Sequence, residues 1–241
     1  DENYDASEYR NHAKEIIQGF LKDGKIPLLV GGTGFYLRAL VDGLFDQPKV
    51  AKEFREKTMS KWTGFSSLLI HQELTKVEPD AAQKIHPNDR KRILRALEVF
   101  EYLGTPISKL HQEHQMEESP YEPILIGLDL AREELYNRIN LRVLTMFQNG
   151  WIEEVKKLRV MGYSPKLQPM QSLGYKYINL FLDEECSEKE MVELTQRDTR
   201  HYAKRQLTWF RADKRIKWMD ISDSSISNII ENIITIFRNN F

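Results

Sequence analysis

The sequence predicts an α/β protein whose parallel-sheet core is interrupted by a helical insertion. Three observations carry this. Within the first 45 residues a helical pattern, a short apolar run and a glycine turn follow one another, which is the order of an α/β sheet. From Asp46 to about residue 120 the pattern is helical, with no convincing strand. Beyond Pro120 and Pro123 an apolar run returns at residues 124–130, and helices follow it. The expected organisation is residues 1–45 as the first part of the core, 46–120 as the insertion and 121–241 as the second part of the core.

Each element has its own signal. Ala13, Ile16, Ile17 and Phe20 recur at helical spacing, so residues 6–21 form a surface helix closed near Gly24. The run Ile26-Pro27-Leu28-Leu29-Val30 reads as a short buried strand, and Gly31-Gly32-Thr33-Gly34 as the turn after it. A helix over residues 35–41 then ends at Gly43. In the insertion, Leu68, Leu69, Ile70, Leu74 and Val77 suit one helix, and Ile93, Leu94, Leu97 and Phe100 another. Residues 132–159 are helical, with Leu135, Ile139, Val143 and Met146 on one face and an interruption near Gly150. The stretch 199–211 holds no Gly or Pro, so a helix is expected there as well. A sheet that opens with one helix and one strand lacks neighbours to cover it. No Gly-x-x-x-x-Gly-Lys-Ser/Thr loop occurs either, so further strands are expected upstream of Asp1.

The composition narrows the function classes. With 241 residues, 41% apolar and 29% charged, the chain has the make-up of an ordinary soluble protein. Its apolar runs are too short to cross a bilayer, and the acidic, polar start Asp1-Glu2-Asn3-Tyr4-Asp5 is no secretory signal. The single cysteine, Cys186, excludes an internal disulfide and any multi-cysteine zinc site. Its acidic surroundings should keep the thiol unreactive. His111 and His114 can share a helix face, but nothing clearly completes a ligand set, so an exposed pair is the better reading. A reducing cytoplasm is the expected compartment, and a monomer the expected state.

Charge is concentrated near the C-terminus. Residues 197–217 hold eight Lys or Arg against two acids, a balance of +6 in a chain whose formal charge is −1. Arg197, Arg200, Lys204 and Arg211 recur at three, four and seven, which draws a basic stripe that Arg205 widens. Such a stripe is the footprint of a polyanion partner, with Tyr202, Trp209 and Phe210 available to stack bases. A solvated helix face with its aromatics turned to the core explains the charge about as well.

Three further motifs could carry chemistry. Gly31, Gly32 and Gly34 follow an apolar run, where glycines let the backbone approach a ligand and offer N–H groups to phosphate, and Thr33 adds a hydroxyl. Alone this is weak, because glycine turns after strands are common. In the segment 85–98, Asn88 or Asp89 can cap a helix whose first turns carry Lys91, Arg92 and Arg95 near the positive end of its dipole. A phosphate partner would explain those cations. So would an Arg95–Glu98 ion pair with the other two solvated. Arg138 and Arg142 lie four apart on the helix after residues 124–130 and could face the carboxyl ends of the sheet strands. From spacing alone a surface role is the better reading, with Arg138 pairing Glu134.

Taken together, these residues resemble the bacterial tRNA dimethylallyltransferase (tRNA isopentenyltransferase) family over nearly the whole chain. The resemblance rests on residues 27–37, Asp80-Ala81 with residues 85–98, and Arg138 to Arg142 with Gly150, Glu153, Glu154 and Val155. It rests also on Leu173-Gly174-Tyr175-Lys176 and on residues 199–211. It implies a core of the phosphate-loop NTPase type and transfer of a dimethylallyl group from its diphosphate to N6 of the adenosine 3′ of the anticodon, with Mg²⁺ as cofactor. By resemblance Arg142 stabilises the leaving diphosphate, Gly31 and Gly32 supply backbone to the substrate pocket, and Thr33 lies beside the nucleotide. The anticodon stem-loop would be held by Arg55, by Lys91, Arg92, Ile93, Leu94 and Arg95, and by Gln171, Ser172, Leu173, Gly174, Tyr175 and Lys176. Lys204, Arg205, Gln206, Leu207, Thr208, Trp209, Phe210 and Arg211 would complete that surface. The family's phosphate loop and general-base Asp are expected upstream of Asp1, so this stretch alone is expected to be inactive.

The chemistry sets its own demands. Cations must bear the charge of the departing diphosphate, the amine must lose a proton to a base, and a stacked adenine must be flipped out to be reached. A small-molecule kinase of the phosphate-loop class would share the sheet and the glycine turn but needs no basic helix of this density. A non-catalytic RNA-binding module would need that helix and little else.

Overall fold

The computed structural model describes residues 4–43, 50–114, 121–222 and 224–239, without the side chains of Lys52 and residues 111–114. The boundary expected at Asp46, the one expected at residue 120 and the His111–His114 side-chain pair lie outside the described residues. The chain divides into two compact units, one of Asp1–Asp5, Leu28–Gly34 and Pro123–Phe241, the other of Ala6–Pro27 and Phe35–Glu122.

The second of these units is helical: α1 (Ala6–Lys22), nearly all of α2 (Gly34–Val41), α3 (Lys52–Lys61), α4 (Ser67–Val77), α5 (Pro79–Lys84), α6 (Arg90–Leu103) and α7 (Ile107–His114). Among the described residues 50–114 there are five helices and no strand. Ser66 starts α4 by accepting a hydrogen bond from the Leu69 N–H at 3.3 Å. Asp89, not Asn88, caps α6 by accepting from the Arg92 N–H at 3.2 Å, and Gly104 closes that helix in the left-handed region at φ 68°. The core is built where α4, α5 and α6 meet, from Ile70, Leu74, Ala82, Ile93, Leu97 and Val99. Each of its larger aliphatic side chains contributes about 1.5–3 kcal/mol by leaving water. Leu68, Leu69 and Val77, expected to share the face of α4, are exposed.

The other unit holds the sheet. Strands β1 (Ile126–Asp129) and β2 (Lys217–Asp220) pair in parallel, with Ile126 opposite Lys217 and Asp129 opposite Asp220. A Cβ on Gly127 would come within 2.7 Å of the Trp218 ring, so the closeness of the strands requires a glycine there. Between the strands run α8 (Arg132–Gln148), α9 (Trp151–Val160), a 3-10 turn (Pro169–Gln171), α10 (Tyr175–Leu182) and α11 (Glu188–Arg211). The interruption expected near Gly150 is the α8–α9 junction, where Gly150 takes φ 88°. Ser187 and Glu190 start α11 with a reciprocal capping box. Val155, Met170, Tyr177, Ile178 and Met191 form the core of this bundle. The architecture is α/β, helix-rich around a small parallel sheet.

One expected element is absent. Residues 26–30 form no strand, and Leu28 and Val30 are 83% and 90% exposed. An apolar run becomes a strand only when a neighbour completes its ladder, and among the described residues β1 and β2 pair with each other alone. Conversely, sequence reasoning misses β2 and the last helix, α12 (Ile226–Arg238). The cap of α12 on Ser225 and the i, i+3, i+4 recurrence of Ile226, Ile229, Ile230, Ile233 and Ile234 were legible signals.

Candidate functional site

The glycine motif and the basic helix, 174 residues apart in sequence, meet. The Gln206 side-chain amide on α11 donates a 2.6 Å hydrogen bond to the Gly32 carbonyl. A Cβ on Gly32 would lie 2.4 Å from that nitrogen, and one on Gly34 would lie 2.2 Å from Trp209 Cδ1. These two glycines are therefore explained by the approach of α11, whatever they contribute to a ligand. Gly31 has open space around its Cα, and Thr33 is exposed.

The last two turns of α11 have two faces. Gln206, Leu207 and Phe210 are half-buried, while Lys204, Arg205, Thr208 and Arg211 are exposed. The basic stripe is not uniformly solvated. Arg197 Nε lies 2.9 Å from Asp198, and Arg200 donates to the Asn140 side-chain oxygen at 2.6 Å, fastening α11 to α8. Arg211 Nη2 lies 2.9 Å from Asp129 at the carboxyl end of β1, and its guanidinium stands 5.9 Å from the centre of the Trp218 ring. Arg205 lies 5.8 Å from the Tyr202 ring centre. Lys204 makes no side-chain hydrogen bond or ion pair among the described residues. Tyr202 and Trp209 are 41% and 39% exposed, so these aromatics are not turned wholly into the core. Asp129 is a member of this constellation that sequence reasoning misses, although its place at the end of a core strand is where α/β ligand residues gather.

The two arginines of α8 separate cleanly. Arg138 is taken up by Glu134, one turn earlier. Arg142 is exposed and has no hydrogen bond or ion pair among the described residues, while its neighbour Val143 is buried and anchors that turn.

Residues 171–176 are held from α9. Gly174 takes φ 88° directly under the Trp151 ring, where a Cβ would come within 2.1 Å of Cη2. The Tyr175 hydroxyl donates to Glu154. Burial, then that hydrogen bond and the Glu154 charge, push the phenol up to about 12. Gln171 donates to the Pro165 carbonyl at 2.7 Å, Lys176 lies 5.2 Å from the Tyr177 ring centre, and Ser172 and Leu173 are exposed.

In the helical unit the expected cluster divides. Arg95 and Arg55 both lie 3.0 Å from Oε1 of Glu98, a carboxylate with 8% of its side chain exposed. Both cations thus neutralise a buried charge of their own protein, which unpaired would be costly. Ile93 is fully buried in the core and Leu94 packs against it. Arg92 lies 3.3 Å from Asp89, and Lys91 is exposed with no ion pair among the described residues.

A pH dependence follows from α11. The Tyr177 hydroxyl donates to Asp198, and that bond, with Arg197 alongside, holds the carboxyl below the ordinary aspartate range. A folded-state pKa below the unfolded value means a contribution complete above the ordinary range and lost as pH falls through the lowered value. Asp198→Asn should therefore lower Tm most near neutral pH, with parent and variant converging on acidification. A gap in Tm that stays constant from neutral to acid pH would contradict this.

The chain matches the family model described as IPP transferase over residues 1–213, and it belongs to that family. Its relatives include tRNA dimethylallyltransferases from Geobacter sulfurreducens, 44% identical over 220 residues, and Syntrophobacter fumaroxidans, 43% identical over 224 residues. Those alignments cover 91% and 93% of this chain but 71% and 66% of the relatives. Among solved structures, the full-length tRNA isopentenylpyrophosphate transferase of Bacillus halodurans superposes with a TM-score of 0.68 at 32% identity, over 99% of this chain and 74% of that one. A eukaryotic dimethylallyltransferase acting on tRNA gives a TM-score of 0.79 at 26% identity, over 99% of this chain and 63% of that one. Family membership decides against the small-molecule kinase.

Proposed function

We propose that this chain serves tRNA modification by transfer of a dimethylallyl group from dimethylallyl diphosphate to N6 of the adenosine 3′ of the anticodon. Family membership carries the reaction, and the junction of α11 with residues 31–34 is the observation that supports the assignment of the surface. Exposed Lys204 and Arg205 beside half-exposed aromatics suit a flexible, stacked anticodon loop. In this reading Arg142 faces the diphosphate charge that grows as the allylic C–O bond breaks. Thr33 and the backbone of Gly31 and Gly32 line the place where the flipped nucleotide enters. Mg²⁺ carried on the diphosphate belongs to the same proposal, and its charge would add to that of Arg142; among the described residues no three His, Cys, Asp or Glu side chains gather that could hold a metal. No helix of the described residues is long and apolar enough to cross a membrane. A monomer working in the cytoplasm belongs to the same proposal.

The test is the salt dependence of tRNA binding. Lys204→Ala with Arg205→Ala should weaken binding and lower the log–log salt slope by about 0.7–0.9 for each phosphate no longer neutralised. Lys91→Ala with Arg92→Ala should act in the same direction, by one phosphate or two. Parent-like affinity and slope in both double mutants, with thermal stability intact, would return these cations to solvated faces.

A further inference from the structure

We propose that the groove between the start of α8 and the last turns of α11 seats a phosphodiester of the RNA backbone, with Arg132 and Tyr136 as its second wall. The inference rests on the RNA-binding function proposed for this chain and deepens it. The groove encloses about 110 Å³ and takes one side from each helix. Three cations converge on it: Arg132 from α8, and Lys204 and Arg211 from α11. Neither Arg132 nor Lys204 has a counter-ion among the described residues, so two like charges line one cavity uncompensated. Arg211 is pinned by Asp129 through Nη2 alone at 2.9 and 3.3 Å, which leaves Nε–H and Nη1–H without a hydrogen bond to that carboxylate. The Thr208 hydroxyl is committed to the Lys204 carbonyl at 2.9 Å. The Tyr136 hydroxyl has no partner among the described residues, so with the cations it supplies the groove's donors. Leu135 and Leu207 add apolar lining to the groove, which suits a ribose more than bulk water.

The prenyl donor's diphosphate offers the same oxygen chemistry. The geometry favours RNA, because the α11 wall belongs to the proposed RNA surface. Arg142, the residue assigned to the diphosphate, lies ten positions further along α8, about 15 Å at 1.5 Å per residue.

The experiment measures binding of tRNA across a salt series, and binding of dimethylallyl diphosphate at fixed salt, for the parent, Arg132→Gln, Arg132→Lys and Tyr136→Phe. Arg132→Gln should weaken tRNA binding and lower the slope by about 0.7–0.9. Arg132→Lys should keep the slope, because it keeps the charge. Tyr136→Phe should weaken binding at every salt concentration without altering the slope. Diphosphate binding should not move in any of them. A parent that binds tRNA, with Arg132→Gln matching it in affinity and slope, overturns this inference alone. Loss of diphosphate binding with tRNA binding intact assigns the groove to the donor and also overturns it. A parent that fails to bind tRNA overturns the RNA-binding reading, and this inference with it.

Discussion

Arg142→Ala is expected to slow prenyl transfer by about 10²–10³-fold, the loss typical of removing one preorganised group that meets developing charge. Affinity for dimethylallyl diphosphate should fall as well, and affinity for tRNA should change little. The two arginines of α8 look interchangeable by spacing, but their surroundings differ. Arg138 is taken up by Glu134, whereas Arg142 has no acceptor among the described residues and projects from a turn anchored by buried Val143. A guanidinium without an acceptor of its own is available to an incoming diphosphate. Arg142→Lys should recover part of the rate, because it restores the charge without the planar fork that binds two oxygens at once. Equal losses in Ala and Lys variants would place the effect in geometry. Unchanged steady-state kinetics in both would return Arg142 to the solvent-facing surface.

Helices were legible where the pattern was long and punctuated. Gly24, Gly43 and Gly150 mark ends that the structure places at left-handed glycines, and Asp89 caps α6 as its side chain allows. Residues 26–30 failed for a different reason, since five apolar residues specify an extended segment but not the neighbour that makes it a strand. The site was legible in its residue types and much less so in its pairings. The Arg95–Glu98 pair was legible at three-residue spacing, but nothing local in the sequence says that Arg55 shares that buried carboxylate, because Arg55 comes from another helix and the meeting depends on how α3 packs on α6. Gln206 on Gly32 and Arg211 on Asp129 are likewise products of tertiary approach. The glycines record those approaches, for Gly32, Gly34, Gly127 and Gly174 all face a side chain where a Cβ would collide.

Gly174 shows this at its most demanding, and Gly174→Ala is expected to destabilise the protein more than any of the surface substitutions. Two separate effects act on the same atom. At φ 88° a residue with a Cβ sits in a sparsely populated region, at about 1–3 kcal/mol. The new methyl would also meet Trp151 Cη2 at 2.1 Å, and overpacking of that kind costs about 1–3 kcal/mol more unless the ring moves. For a chain of this size each kcal/mol lowers Tm by about 2–4 °C, so the summed cost of about 2–6 kcal/mol corresponds to a fall of about 4–24 °C. Residues 171–176 should lose tRNA affinity at temperatures where the chain is still folded, because Trp151 and Glu154 hold that segment from α9. A Trp151→Leu background separates the two effects: it loses the ring's packing in both members of the pair but has room for the methyl, so Gly174→Ala should cost less Tm there than in the parent, and the remainder is the cost of φ. No cost in that background would mean that the backbone carries no strain, and a parent-like Tm in Gly174→Ala alone would show that the ring yields freely and that the close approach does not hold this segment.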